Sequence, residues 1–147
     1  AVCGTWWRAD INVDGTPRGY GVYEVDGNQV KWLYKSAGYP KEHQLHVYQA
    51  GSSDEYPSDI IANVWNWDEQ WKVEWYENGK REMQRYKGYD PAAKAICSDK
   101  EKVKYEWISP VLTEHLFHAT PRNKNAKIEV KVTDRFGNVY TEAVENK

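Results

Sequence analysis

The chain has 147 residues, room for one domain or two small ones. A formal net charge of -2 and a pI of about 6.1 give no electrostatic case for nucleic acid. Mean hydropathy is -0.89, and no apolar run approaches the length of a membrane-spanning helix. Eight Trp and eleven Tyr stand against two Phe and one Met. They fall in short alternating runs with β-branched residues, separated by Gly, Asn, Asp and Pro. That pattern predicts a mainly β protein.

In chain order, residues 3–8 (CGTWWR) read as a strand entering a polar loop, and Asp14-Gly15-Thr16-Pro17 is turn chemistry. Residues 19–25 and 30–35 flank Asp26-Gly27-Asn28, a hairpin signal, with Val30, Trp32 and Tyr34 on one face. Leu45 and Val47 mark a further strand. So few strands make a weak core, so residues 1–48 are expected to lean on other protein. Residues 49–58 (QAGSSDEYPS) read as a linker. From there, residues 60–67, 71–76 and 81–86 are expected as a three-strand meander. Its connections are Asp68-Glu69-Gln70 and the Asn-Gly turn at Asn78-Gly79. Trp71, Val73 and Trp75 alternate with Lys72, Glu74 and Tyr76, so the first three face a core.

Residues 89–95 read as the start of a short helix, with Asp90 as its cap and Pro91 at the first helical position. Residues 114–119 read as a strand between breaks at Ser109-Pro110 and Thr120-Pro121. Residues 127–133 alternate cleanly, with Ile128, Val130 and Val132 inward, and the turn Asp134-Arg135-Phe136-Gly137-Asn138 leads into residues 139–142. The expected architecture is an immunoglobulin-like antiparallel β-sandwich over residues 59–147, preceded by a small antiparallel β segment. The charges of Lys72, Glu74, Lys127, Glu129 and Lys131 read as the solvated faces of strands.

Little in the residues carries chemistry. His43/His46 and His115/His118 are spaced three apart in strand contexts, where they point to opposite faces, so neither pair alone makes a metal site. There is no nucleophile elbow, phosphate loop or dinucleotide fingerprint, and no carboxylate sits in a motif that fixes a partner. Cys3 and Cys97 pair or stay as free thiols; two buried thiols is the expected state. The Trp of residues 63–80 read as core packing, with a sugar-stacking platform as the rival.

Several stretches resemble one family. The run NVWNWDEQWKVEWYENGK (residues 63–80), YDP (89–91), HLFHATP (115–121) and KVTDRFGNVYTE (131–142) is similar to the C-terminal domain of bacterial calcineurin-like metallophosphoesterases. Residues 3–27 (CGTWWRADINVDGTPRGYGVYEVDG) resemble the end of the catalytic domain in the same proteins. The resemblance implies a parent enzyme with two divalent metal ions about 3.5–4 Å apart. The family's Asp-x-His, Gly-Asp, Gly-Asn-His and Gly-His-x-His ligand motifs are not in this sequence, so no metal ligand or catalytic residue is assigned here. This chain alone is therefore expected not to be an enzyme. Its expected partner is the N-terminal catalytic domain of the same polypeptide.

In that parent the loop carrying Trp7, Arg8 and Arg18 is a candidate rim of the active cleft, because guanidinium suits bidentate contact with phosphate. The bland alternative is a solvated loop. A carbohydrate-binding module stacking glycan on Trp65, Trp67 or Trp107 is the rival from another class. A small self-contained hydrolase is the third. Family members are typically exported by bacteria, which implies a periplasmic or extracellular location. Ala1-Val2-Cys3-Gly4 has neither the basic start nor the apolar core of a signal peptide, so a leader is expected in a preceding segment.

Overall fold

A computed structural model describes residues 2–3 (backbone alone), 9–101, 103, 105–123 and 125–145. The chain divides into two compact units, one of Ala1–Gln44 with Gly88–Thr113 and the other of Leu45–Lys87 with Glu114–Lys147.

The first unit is built on a three-stranded antiparallel sheet, β1 (Val2–Cys3), β2 (Gly19–Asp26) and β3 (Gln29–Ser36). The expected hairpin is present: Asp26 pairs with Gln29, and Gly27 turns the chain at φ 56°. Tyr34 is buried and donates its hydroxyl to the Pro17 carbonyl at 2.5 Å, pinning the preceding loop. Gln44 Nε2 donates to the carbonyls of Tyr34 at 2.5 Å and Lys41 at 2.7 Å. The helix α1 (Pro91–Ser98) starts as its sequence indicates, with Asp90 Oδ1 accepting the Ala93 N–H at 2.8 Å. The Val111 N–H donates to the Val13 carbonyl at 3.1 Å, which brings residues 88–113 into this unit.

The hairpin leaves apolar side chains uncovered. Register pairs Tyr23 with Trp32 and Val25 with Val30, so these four share one face. Tyr23, Val25 and Val30 are exposed, as are Tyr20, Tyr39, Trp107, Val111 and Leu112 of the same unit. In the second unit, Val139 alone of the described large hydrophobics is exposed.

The second unit is a two-sheet sandwich. One antiparallel sheet runs in the order β11 (Val139–Glu145), β10 (Lys127–Thr133), β6 (Lys72–Tyr76), β7 (Lys80–Glu82). The other runs β4 (Leu45–Tyr48), β5 (Ile60–Val64), β9 (Thr113–Ala119), β8 (Gln84–Gly88). Leu45, Val47, Ile60, Ala62, Val64, Phe117 and Ala119 of one sheet share a core with Val73, Trp75, Ile128, Val130, Val132, Tyr140 and Val144 of the other. This is the expected antiparallel β-sandwich, and the inward placement of Trp71, Val73 and Trp75 holds.

The meander does not form as expected. β5 pairs with β4 and β9, while β6 pairs with β10 and β7, so consecutive strands lie in opposite sheets. Alternation reports which face of a strand is buried but not which strand lies beside it. Asn66, at φ 62°, and the loop after it carry the chain from one sheet to the other. Asp68 anchors this crossing: Oδ1 accepts the Gln70 N–H at 2.8 Å and Oδ2 accepts Arg135 Nε at 2.7 Å. Burial pushes the Asp68 carboxyl up, but Arg135 and the Gln70 N–H outweigh it and hold the group below its usual range.

The strand expected over residues 81–86 is two strands, β7 and β8. They are separated at Met83, which is buried in the core where the chain changes sheets. Residues 49–58, expected as a linker, join β4 to β5, its neighbour within one sheet. Glu74 is buried rather than solvated, and it pairs with Lys80 at the Asn-Gly turn.

Candidate functional site

The residues singled out in the sequence do not converge. Trp7 and Arg8 lie outside the described residues. Arg18 is 55% exposed at its side chain and forms an ion pair with Asp10 at 2.7 Å. Its N–H also donates to the Asp10 carbonyl at 3.1 Å, so the loop folds onto itself. A surface pair of this kind contributes about 0–1 kcal/mol and exchanges readily for another anion.

Trp65 is 1% exposed, which removes it as a stacking surface. Its place in an apolar strand end made it core, and the same pattern in sequence could not tell the two uses apart. Trp67 packs against the core, edge-on to Phe117 with centroids 5.6 Å apart, and Arg85 covers its ring at 4.6 Å. Trp107 is 63% exposed and stacks on Tyr105 at 5.8 Å. Trp65 and Trp67 therefore form no sugar platform.

The four His are separately engaged. His43 stacks on Tyr39 at 4.4 Å, and His46 Nδ1 lies 2.9 Å from Glu142 Oε1. His115 Nδ1 meets Asn63 Oδ1 at 2.7 Å, and His118 Nδ1 meets Asp59 Oδ2 at 2.6 Å. Among the described residues no group of three or more His, Cys, Asp or Glu is placed to hold a metal ion. Cys97 is a free, half-buried thiol whose pKa is raised by burial. The Cys3 side chain lies outside the described residues.

Geometry does single out a place the sequence did not. A cleft of about 330 Å³ opens in the sandwich unit, lined by Trp75, Arg81, Glu82, Gln84, His118, Ala119, Thr120 and Arg122. Strand register puts Arg81 opposite Trp75, and its guanidinium sits 5.3 Å from the Trp75 ring, within cation–π range. The same register puts Glu82 opposite Glu74, on the other face of the sheet from Arg81.

Glu77 fixes the loop that carries Arg122. It is buried, and its carboxylate accepts the Arg122 N–H at 2.9 and 3.0 Å. It also accepts the Asn123 N–H at 2.7 Å and Asn123 Nδ2 at 3.3 Å. Burial pushes the Glu77 carboxyl up, but these hydrogen bonds and the nearby Arg81 charge outweigh it and hold the group below its usual range. The loop carrying Arg122 is thereby fixed beside the strand carrying Arg81. The only trace of this in the sequence was Trp75 and Arg81, each three residues from Asn78 of the Asn-Gly turn.

Fold and site together define the class: a mainly β chain whose core is a two-sheet antiparallel sandwich. The chain belongs to the family described as the C terminal of calcineurin-like phosphoesterase, whose model matches residues 1–140. No curated protein and no solved structure is similar enough to match it.

Proposed function

We propose that this chain is the non-catalytic C-terminal portion of a metal-dependent phosphoesterase. It docks on the N-terminal catalytic domain of the same polypeptide, and it orients and stabilises that domain. The observation that carries this reading is the asymmetry of apolar exposure. Among the described residues, eight large hydrophobics of the first unit stand in solvent, four of them on the β2–β3 hairpin, whereas the sandwich unit exposes Val139. Tyr23, Val25 and Val30 share one face of the hairpin, and exposed apolar surface of this kind marks an interaction face. The family match supports this choice of partner, since the family model is of the C-terminal part of a phosphoesterase.

In this reading the two divalent metal ions belong to the catalytic domain, and Arg18 lies on the rim loop with its weak Asp10 pair open to exchange. The strand orders β4-β5-β9-β8 and β7-β6-β10-β11 support an immunoglobulin-like sandwich as the appended domain. A periplasmic or extracellular location is part of the proposal and rests on the family resemblance.

The test uses the catalytic portion of the same protein supplied as a separate chain. The unaltered chain is expected to co-elute with it in gel filtration. A Tyr23→Lys, Val25→Lys double variant is expected to elute apart while keeping its own stability within about 0.5 kcal/mol, as for other exposed positions. Co-elution of that variant at unchanged strength would contradict the proposal.

A further inference from the structure

We propose that the cleft beside Trp75 binds a small phosphate-bearing anion, inorganic phosphate or a phosphomonoester, through Arg81 and Arg122. This goes beyond the docking role and does not depend on it.

The first argument is where charge is left over. Among the described arginines, Arg18 is paired with Asp10 and Arg135 with Asp68, while Arg85 donates to the Glu114 carbonyl at 3.4 Å and covers Trp67. Arg81 and Arg122 have no salt bridge among the described residues, and both line the same cleft. The Glu77 carboxylate feels the Arg81 charge but forms no salt bridge with either guanidinium. Glu77 directs both its oxygens to the N–H groups of Arg122 and Asn123 and the Asn123 amide.

The second argument is the chemistry of the lining. Arg81, Arg122, Gln84 and Thr120 all carry side-chain donors. Glu82 is the one acid of the lining, and strand register puts its side chain on the other face of the sheet from Arg81. A wall of donors with two guanidinium groups suits an anion with several acceptor oxygens, and guanidinium forks match phosphate bidentately. The Trp75 edge gives the cleft an apolar floor against which the organic part of an ester can rest. At about 330 Å³ the cleft falls at the small end of ligand sites, so it fits a compact anion rather than a polymer.

The third argument is preorganisation. Arg81 is held over Trp75, and the Glu77 hydrogen bonds fix the backbone at Arg122. One guanidinium held in place and a fixed backbone beneath the other leave less freedom to lose when the anion arrives.

The test is calorimetric titration of the full chain with inorganic phosphate and, separately, with phenyl phosphate at constant ionic strength. Saturable binding of at least one is expected. It should weaken at least tenfold in Arg81→Gln, Arg122→Gln, whose melting temperature should fall only by the few degrees that loss of the Arg81–Trp75 contact implies. Tighter binding of phenyl phosphate would assign the ester, and equal or tighter binding of inorganic phosphate would assign the free ion. Should the double variant melt early, Arg122→Gln alone, at an exposed side chain, serves in its place with a threefold loss as the threshold. Absence of saturable binding by both anions, or affinity unchanged in the variants, would overturn the proposal.

Discussion

Replacing Trp75 by Ala is expected to destabilise the sandwich by roughly 3–5 kcal/mol. Trp75 lies on β6, is 3% exposed, and pairs across the sheet with Val130, itself fully buried. Its indole sits in the core that both sheets share, so truncation leaves a cavity between the sheets. It also removes the ring beneath Arg81, a smaller loss of about 0.5–1 kcal/mol. Domains of this size commonly hold about 5–15 kcal/mol in total, so the loss is a large share of what is present. Urea denaturation followed by circular dichroism measures it. A loss below about 1 kcal/mol would mean that Trp75 is not a core residue.

Asp134→Ala is the second large effect, expected at roughly 2–4 kcal/mol, because it strands several donors at once. Asp134 is buried at the start of the β10–β11 turn. Its Oδ1 accepts the N–H groups of Phe136 and Asn138, each at 2.8 Å. Its Oδ2 accepts Asn138 Nδ2 at 2.8 Å and the Tyr140 hydroxyl at 3.2 Å. Gly137, at φ 85°, completes the turn, and its N–H donates to the Asp134 carbonyl at 3.1 Å. One carboxylate thus closes the hairpin and ties it to a core tyrosine. Asp134→Asn keeps the acceptor for the two backbone N–H groups but presents an amide to the other two donors, so a smaller loss of about 1–2 kcal/mol is expected. Denaturation of both variants tests the ranking. An Ala variant within about 0.5 kcal/mol of the parent would contradict the network.

What the sequence made legible was local. The Asp26-Gly27-Asn28 and Asn78-Gly79 turns, the Asp90 cap and the inward triplet Ile128, Val130, Val132 each depend on a few neighbouring residues, and all are found where the pattern placed them. Partner choice depends on the whole core and was not legible. Strands β5 and β6 each have an apolar inner face, and that property fits two strands side by side as well as two strands facing across a sandwich. The change of sheet at Met83 looked like one continuous strand for the same reason. Residues 88–113 join the first unit through contacts distant in sequence, such as Val111 with Val13, which no local pattern announces. Glu74 looked solvated by alternation, and only the turn that returns Lys80 to it explains its burial. The Arg81 and Arg122 cleft was invisible because its two cations are brought together by Glu77, which in sequence is one acid among many.

The central claim, that this chain is the non-catalytic part of its enzyme, is tested most directly by turnover. The chain is incubated with a generic phosphodiester and added Mn²⁺, beside a chelated control. The account predicts no metal-dependent hydrolysis. Robust hydrolysis that the chelator abolishes would contradict it and would place a metal centre within these 147 residues.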